Sequence, residues 1–206
     1  MRSIKFFALL LFLAHKVLSL PAHSGSTVAS ARVFNYFKFS AGLNHTFTRL
    51  KSTMVVPNLP TGPNGLQSIW PGLQSPGQEM VFQNVVANQK AGVWGFWIME
   101  CCIPNHSFTP YVPVYPGDSI TTEFARQASG NWTDSWILER GTQGVLAGAE
   151  IGQGNITDVA FPAFRRLNEA FFTVELGSGA HWEFGQMVWK DILMKTDRND
   201  FAWCKQ

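Results

Sequence analysis

From about residue 32 onward the sequence is a succession of short β-type runs broken by Gly, Pro and Asn, with almost nothing able to sustain a helix. β-like sequence begins by Arg32–Phe39, and further runs fall at Arg49–Val56, Glu79–Val86, Val93–Glu100 and Ser119–Gln127. Others follow at Ser135–Glu139, Gly144–Ile151, Phe171–Leu176 and Met187–Leu193. Within Ser119–Gln127, Ile120, Thr122, Phe124 and Arg126 alternate onto one side, as in a half-buried strand. Ser135–Ile151 reads as a hairpin turning at Arg140–Gly144, and the one helical candidate is a turn or two near Ala163–Glu169. Residues 57–78 are rich in Pro, Gly, Asn and Gln but keep the anchors Leu66, Ile69 and Trp70, so they read as turns and a strand end, not a linker. Short strands at even spacing with no helices between them predict an all-β chain, two antiparallel sheets packed face to face.

The composition supports a real core: 206 residues, 46% hydrophobic and 15% charged, with 8 Trp and 17 Phe, argue against disorder and against a coiled coil. The first residues stand apart. Arg2 and Lys5 precede an apolar run from Phe6 to Ala14, with small residues near Ala22 and Ser24, the order of a secretory signal peptide. That run is too short for a bilayer, which needs about 20 residues. The expected organisation is therefore 1–22 as signal peptide and 23–206 as one β-sandwich domain, secreted or held in the secretory lumen. Four Asn-X-Ser/Thr sequons, at Asn44, Asn105, Asn131 and Asn155, agree as candidate glycan acceptors. The formal charge of +2 includes Arg2, Lys5 and Lys16 of the signal, which holds no acid, so the mature chain stands at −1. No electrostatic footprint for nucleic acid remains, and no membrane span is expected.

Three cysteines occur, Cys101, Cys102 and Cys204. Because neighbouring cysteines rarely bond to each other, a bridge from Cys204 to Cys101 or Cys102 is expected, leaving one thiol over. No Cys-X-X-Cys pattern or histidine cluster suggests a metal, and no cofactor is indicated. Gly-X-Ser-X-Gly, Walker-type, dinucleotide-binding and His-Glu-X-X-His patterns are all missing. His45 and His106 lie inside sequons and His15 and His23 in or beside the signal, which leaves His181 as the one histidine open to a catalytic triad.

Two polar residues on apolar runs carry more information. Gln83 lies within Met80–Val86 and Glu175 within Phe171–Leu176. By strand parity Glu175 shares a face with Thr173 and Phe171, while Phe172 and Val174 occupy the other. Such a carboxylate either faces solvent or is held in a concave pocket, where burial raises its pKa and suits it to acid–base chemistry.

Four motifs in order resemble the glutamic peptidase (eqolisin) family, with its concanavalin A-like jelly-roll sandwich. Ser68–Ile69–Trp70–Pro71–Gly72–Leu73 is similar to the family's Trp-containing strand end, and Val81–Phe82–Gln83 falls where the family has its catalytic glutamine. Pro116–Gly117–Asp118–Ser119–Ile120 resembles its Gly-Asp-Ser-Ile strand start, and Asn168–Glu175 the segment ending in its catalytic glutamate. The resemblance spans about Gln67 to Leu176. It implies Gln83 and Glu175 as catalytic residues, the glutamate activating water and protonating the leaving amine, the glutamine stabilising the oxyanion. Two features depart from it: β-like sequence starts too early for the family's pro-segment, and Asn84–Val85–Val86 follows the glutamine in place of Thr-Gly.

The aromatic content offers another use for the concave face. Trp94 and Phe96 share one side of a strand and Trp97 takes the other. Rings with a few placed polar groups suit an apolar ligand; exposed Trp platforms suit a sugar, as in a lectin. Size, signal, sequons and aromatic sandwich are together similar to small secretory fungal hetero-Diels–Alderases of tropolone-sesquiterpenoid biosynthesis. That second resemblance implies a pericyclase acting on an apolar small molecule without a cofactor. Its substrate walls would be Trp70, Trp94 and Trp97, with Gln83 as hydrogen-bond donor and a protonated Glu175 assisting loss of water. The expected function is this cycloaddition, with glutamic endopeptidase and carbohydrate-binding module as the alternatives.

Overall fold

The computed structural model describes residues 32–60, 65–75, 77, 80–90, 92–102, 105–162 and 166–198. Its elements are β1 (Val33–Ser40), β2 (Phe47–Val55), β3 (Gln67–Gln74), β4 (Met80–Lys90), β5 (Val93–Cys102), β6 (His106–Ser107) and β7 (Val112–Val114). These are followed by β8 (Ser119–Arg126), β9 (Trp132–Glu139), α1 (Thr142–Leu146), β10 (Gly152–Val159), β11 (Glu169–Leu176) and β12 (Val188–Thr196). One sheet has seven strands in the order β1-β11-β3-β4-β5-β6, with β7 also on β5; the other has five, β10-β9-β8-β2-β12. All pairings are antiparallel. The predicted all-β two-sheet sandwich is the observed fold.

Strand alternation builds the core. Inward residues of the larger sheet (Ile69, Leu73, Phe82, Val86, Trp94, Phe96, Phe172, Val174) meet Leu50, Met54, Ile120, Phe124, Leu138 and Trp189 of the smaller one. Phe82 is central, edge-on to Phe108, Phe124 and Phe161 at 6.0, 4.9 and 5.4 Å between ring centres. One polar tie crosses this interior: Asn84 Nδ2 of β4 donates to Asp134 Oδ1 of β9 at 3.0 Å. Burial pushes the Asp134 carboxyl well above its ordinary pKa, the Asn84 bond opposing that rise.

The turn after β9 differs from expectation. Gly144–Ile151 is not the second strand of a hairpin: the chain forms α1, then strand β10 at Gly152–Val159, which pairs with β9. The cause is a long-range latch. Fully buried Asp118 accepts from Gly141 N at 2.8 Å, Tyr115 N at 3.0 Å and Arg140 Nη1 at 2.7 Å, holding the chain at 140–141 in a tight bend. The helical turn expected near Ala163–Glu169 is also corrected: 163–165 lie outside the described residues, 166–168 are irregular, and Glu169 opens β11. Residues 67–74 form a whole strand in mid-sheet, not a strand end.

Candidate functional site

A cleft of about 530 Å³ lies on the outer face of the seven-stranded sheet, lined by Arg32, Phe34, Tyr36, Trp70, Gln74, Val81, Gln83, Cys101, Cys102, Phe171, Thr173 and Glu175. Alternation puts these side chains there. On β4, Val81, Gln83 and Val85 point out while Phe82, Asn84 and Val86 point in; on β11, Phe171, Thr173 and Glu175 point out while Phe172 and Val174 point in. The outward apolar residues Trp70, Val85, Ala87, Val81, Trp97, Met99 and Phe171 form a cluster of their own. Edge strand β1 supplies the far wall with Phe34 and Tyr36, Tyr36 lying edge-on to Phe171 at 5.5 Å.

Glu175 is 8% exposed and receives three donors. Arg32 Nη1 reaches its Oε1 at 2.7 Å, while Ser68 Oγ and Trp70 Nε1 reach Oε2 at 3.2 and 3.3 Å. Every one of these contacts uses the carboxylate as an acceptor, and together they fix the half-exposed Arg32 guanidinium at the cleft margin. Gln83 and Thr173 are buried yet present Oε1 and Oγ1 without a hydrogen-bond partner, so the cleft floor holds unused polar atoms among apolar walls.

The register separates the two candidate catalytic residues. Gln83 sits opposite Gly72, which sits opposite Phe171; Glu175 sits opposite Ser68, which sits opposite Ala87. They are thus four residues apart along the strands and two strands apart across them, roughly 16 Å between Cα positions at strand spacings. Trp70, on the strand between, occupies the intervening row opposite Thr173. Both line one cleft without facing each other. Gly72 is what lets the floor lie flat beside Gln83: a Cβ there would stand 2.9 Å from Val81 Cγ1, 3.0 Å from Phe82 O and 3.2 Å from Gln83 Cβ.

The tryptophans expected as walls divide. Trp70 lines the cleft. Trp97 is on the same sheet face but packs near Tyr111, 6.1 Å between ring centres, outside the lining. Trp94 is elsewhere: fully buried between the sheets, it packs edge-on to Phe184 and donates Nε1 to Asn58 O at 3.0 Å. The opposite faces of Trp94 and Trp97 follow the expected parity; which face is the cleft required the other strands. His181 is exposed and not part of the lining. Arg32 was missed, since its pairing with Glu175 spans 143 residues and leaves no local signal. Phe171 and Thr173 were signalled by sharing the face of Glu175.

The disulfide also differs. Cys101 is bonded to its neighbour Cys102, and Cys204 lies outside the described residues. Alternation would set these last two residues of β5 on opposite faces, and the bond between them brings both to one side. Asn44, Asn105 and Asn155 are exposed and Asn131 partly so. No helix among the described residues is long and apolar enough to cross a membrane.

Fold and cleft define a two-sheet β-sandwich with a ligand-sized, aromatic-walled hollow on the outer face of its larger sheet. The structure is similar to that of scytalido-glutamic peptidase with a peptide-based transition-state analogue, at TM-score 0.47 and 16% identity over 81% of this chain and 74% of that one. It is also similar to SCP-B, a member of the eqolisin family of peptidases, in complex with a tripeptide, at TM-score 0.45 and 16% identity over 81% and 74%. No family model and no curated protein matches the chain.

Proposed function

We propose that the chain is a secretory-route enzyme that acts on an apolar small molecule without proteolysis, as a hetero-Diels–Alderase of tropolone-sesquiterpenoid type. The observation that carries this reading is the cleft itself: apolar walls from Trp70, Phe171, Tyr36 and Val81 around a few fixed polar groups. A cycloaddition needs two apolar partners held in register, and confinement alone removes a large part of its barrier. In this reading the Gln83 amide donates to the heterodiene oxygen as charge develops, and Glu175 acts as an acceptor that anchors Arg32 as a second donor.

The test incubates the mature protein with humulene and a tropolone quinone methide generated in place, and follows adduct formation by chromatography. The expected result is acceleration over buffer, reduced about 100-fold by Gln83→Ala, the usual effect of losing one such donor. Adduct formation at the buffer rate would sink the proposal. A peptidase remains the second reading, since Gln83 and Glu175 line one cleft, although Trp70 stands between them. Cleavage of denatured casein at about pH 3–4 that disappears in Glu175→Gln would establish it instead. The sugar-platform reading gains nothing from the rings, because no described tryptophan is exposed.

A further inference from the structure

One end of the cleft wall is the bonded pair Cys101–Cys102. On β5, Trp97 and Met99 lie on the cleft side and Ile98 in the core. Cys101 continues the cleft-side series opposite Val81, whereas Cys102 is paired with Met80, itself fully buried in the core. Strand alternation alone would therefore send Cys102 to the inner side of the sheet. The bond to Cys101 keeps both residues among those lining the cleft, with Cys102 exposed and Cys101 partly so. A disulfide in that position is open to attack from the same side as any ligand.

We infer that Cys101–Cys102 is a thiol–disulfide exchange site that gates the cleft, taking a small dithiol as its reductant. A thiolate of the dithiol attacks Sγ of the exposed Cys102, the Cys101–Cys102 bond breaks, and Cys101 leaves as a thiolate that takes up a proton. The second thiol then attacks the dithiol's own sulfur in the mixed disulfide, closing the reductant's disulfide and releasing Cys102 as a thiol. Two electrons and two protons pass to the protein, and the dithiol is oxidised. Once free, Cys102 is no longer tied to Cys101 on the cleft side, and the wall loses that fixed pair of side chains. The gating half rests on the cleft being the apolar ligand site; the exchange half does not.

The experiment treats the native chain with dithiothreitol, without denaturant, alkylates it with iodoacetamide and maps the modified peptides by mass. In parallel, 8-anilinonaphthalene-1-sulfonate is titrated by fluorescence into the oxidised and reduced forms. Expected are alkylation of both Cys101 and Cys102 with the melting transition retained, and a shift in probe affinity of about fourfold, the effect of about one methylene of apolar contact. The double variant Cys101→Ser/Cys102→Ser should lose all response of probe affinity to reductant, while Cys204→Ser should keep it. If the double variant does not fold, the peptide map and Cys204→Ser decide alone. Alkylation seen only after denaturation, or a cross-link from Cys204 to either residue, would overturn the exchange site. Equal probe affinity in the two forms overturns the gating. Probe binding to neither form overturns the apolar-ligand reading and the gating with it, and leaves the peptide map to judge the exchange.

Discussion

Asp134 is enclosed between the sheets with Asn84 donating to its Oδ1, while Asp134 Oδ2 and Asn84 Oδ1 have no partner. Desolvation favours the neutral acid there and raises its pKa well above the ordinary value of 3.8. The folded chain therefore binds this proton over a window where the unfolded chain has released it. Stability from this group is fully present below the ordinary carboxylate value and is lost as pH climbs towards the raised folded value. The melting temperature should thus fall between about pH 4 and neutrality more steeply than that of Asp134→Asn, whose amide cannot titrate. At neutral pH the variant should be more stable by about 1–3 kcal/mol, because its amide can also donate to Asn84 Oδ1. Calorimetry across pH checks this, and parallel profiles for the two proteins would refute it. Little of it is legible in the sequence: Asp134 falls just outside the predicted run Ser135–Glu139, Asn84 is one polar residue in an apolar run, and only the packing of two sheets shows that they meet.

At the scale of elements, the β9–β10 connection shows where local pattern stops being sufficient. Gly144–Ile151 has the composition of a strand, but the chain bends where Asp118, 23 residues before Gly141, captures its backbone N–H. Gly144 is tight against the same carboxylate, a Cβ there standing 2.5 Å from Asp118 Oδ1. A residue that sets a turn from that distance leaves no periodic trace. Asp118→Ala would strand the nearly buried Arg140 guanidinium and should cost about 3–5 kcal/mol, read as a lower urea midpoint. An unchanged midpoint would show that the latch is dispensable. Strands β8 and β11, by contrast, were legible to within a residue or two, because their alternation faces a core on one side. Gly72→Ala tests the flat floor of the cleft: its Cβ presses on Val81 and Gln83, so it should weaken binding of an apolar fluorescent probe more than it lowers melting temperature. The reverse order of effects would place Gly72 in structural support alone.

For the whole molecule, core and cleft are opposite faces of one sheet, and neighbouring residues answer to different demands. Phe82→Ala empties the centre of the aromatic cluster and should cost about 3–5 kcal/mol, whereas Gln83→Ala, one residue on, should change stability by far less and act on the cleft. Paired denaturation curves check this, and equal losses would contradict the two-faced reading. The sandwich was legible from the rhythm of short runs, and of the pair Gln83 and Glu175 only the glutamate's face was legible from parity. The spacing between those two residues was not, because it depends on the register of β3 between β4 and β11, which no single run records. That two-residue rhythm has an evolutionary consequence. Along β4 and β11, every other position is pinned by the interior, while alternate ones such as Val81, Gln83, Phe171, Thr173 and Glu175 face the hollow. Such a chain can change its chemistry letter by letter while its outline stands still, so lineages built on it should diverge in what they bind long before they diverge in shape.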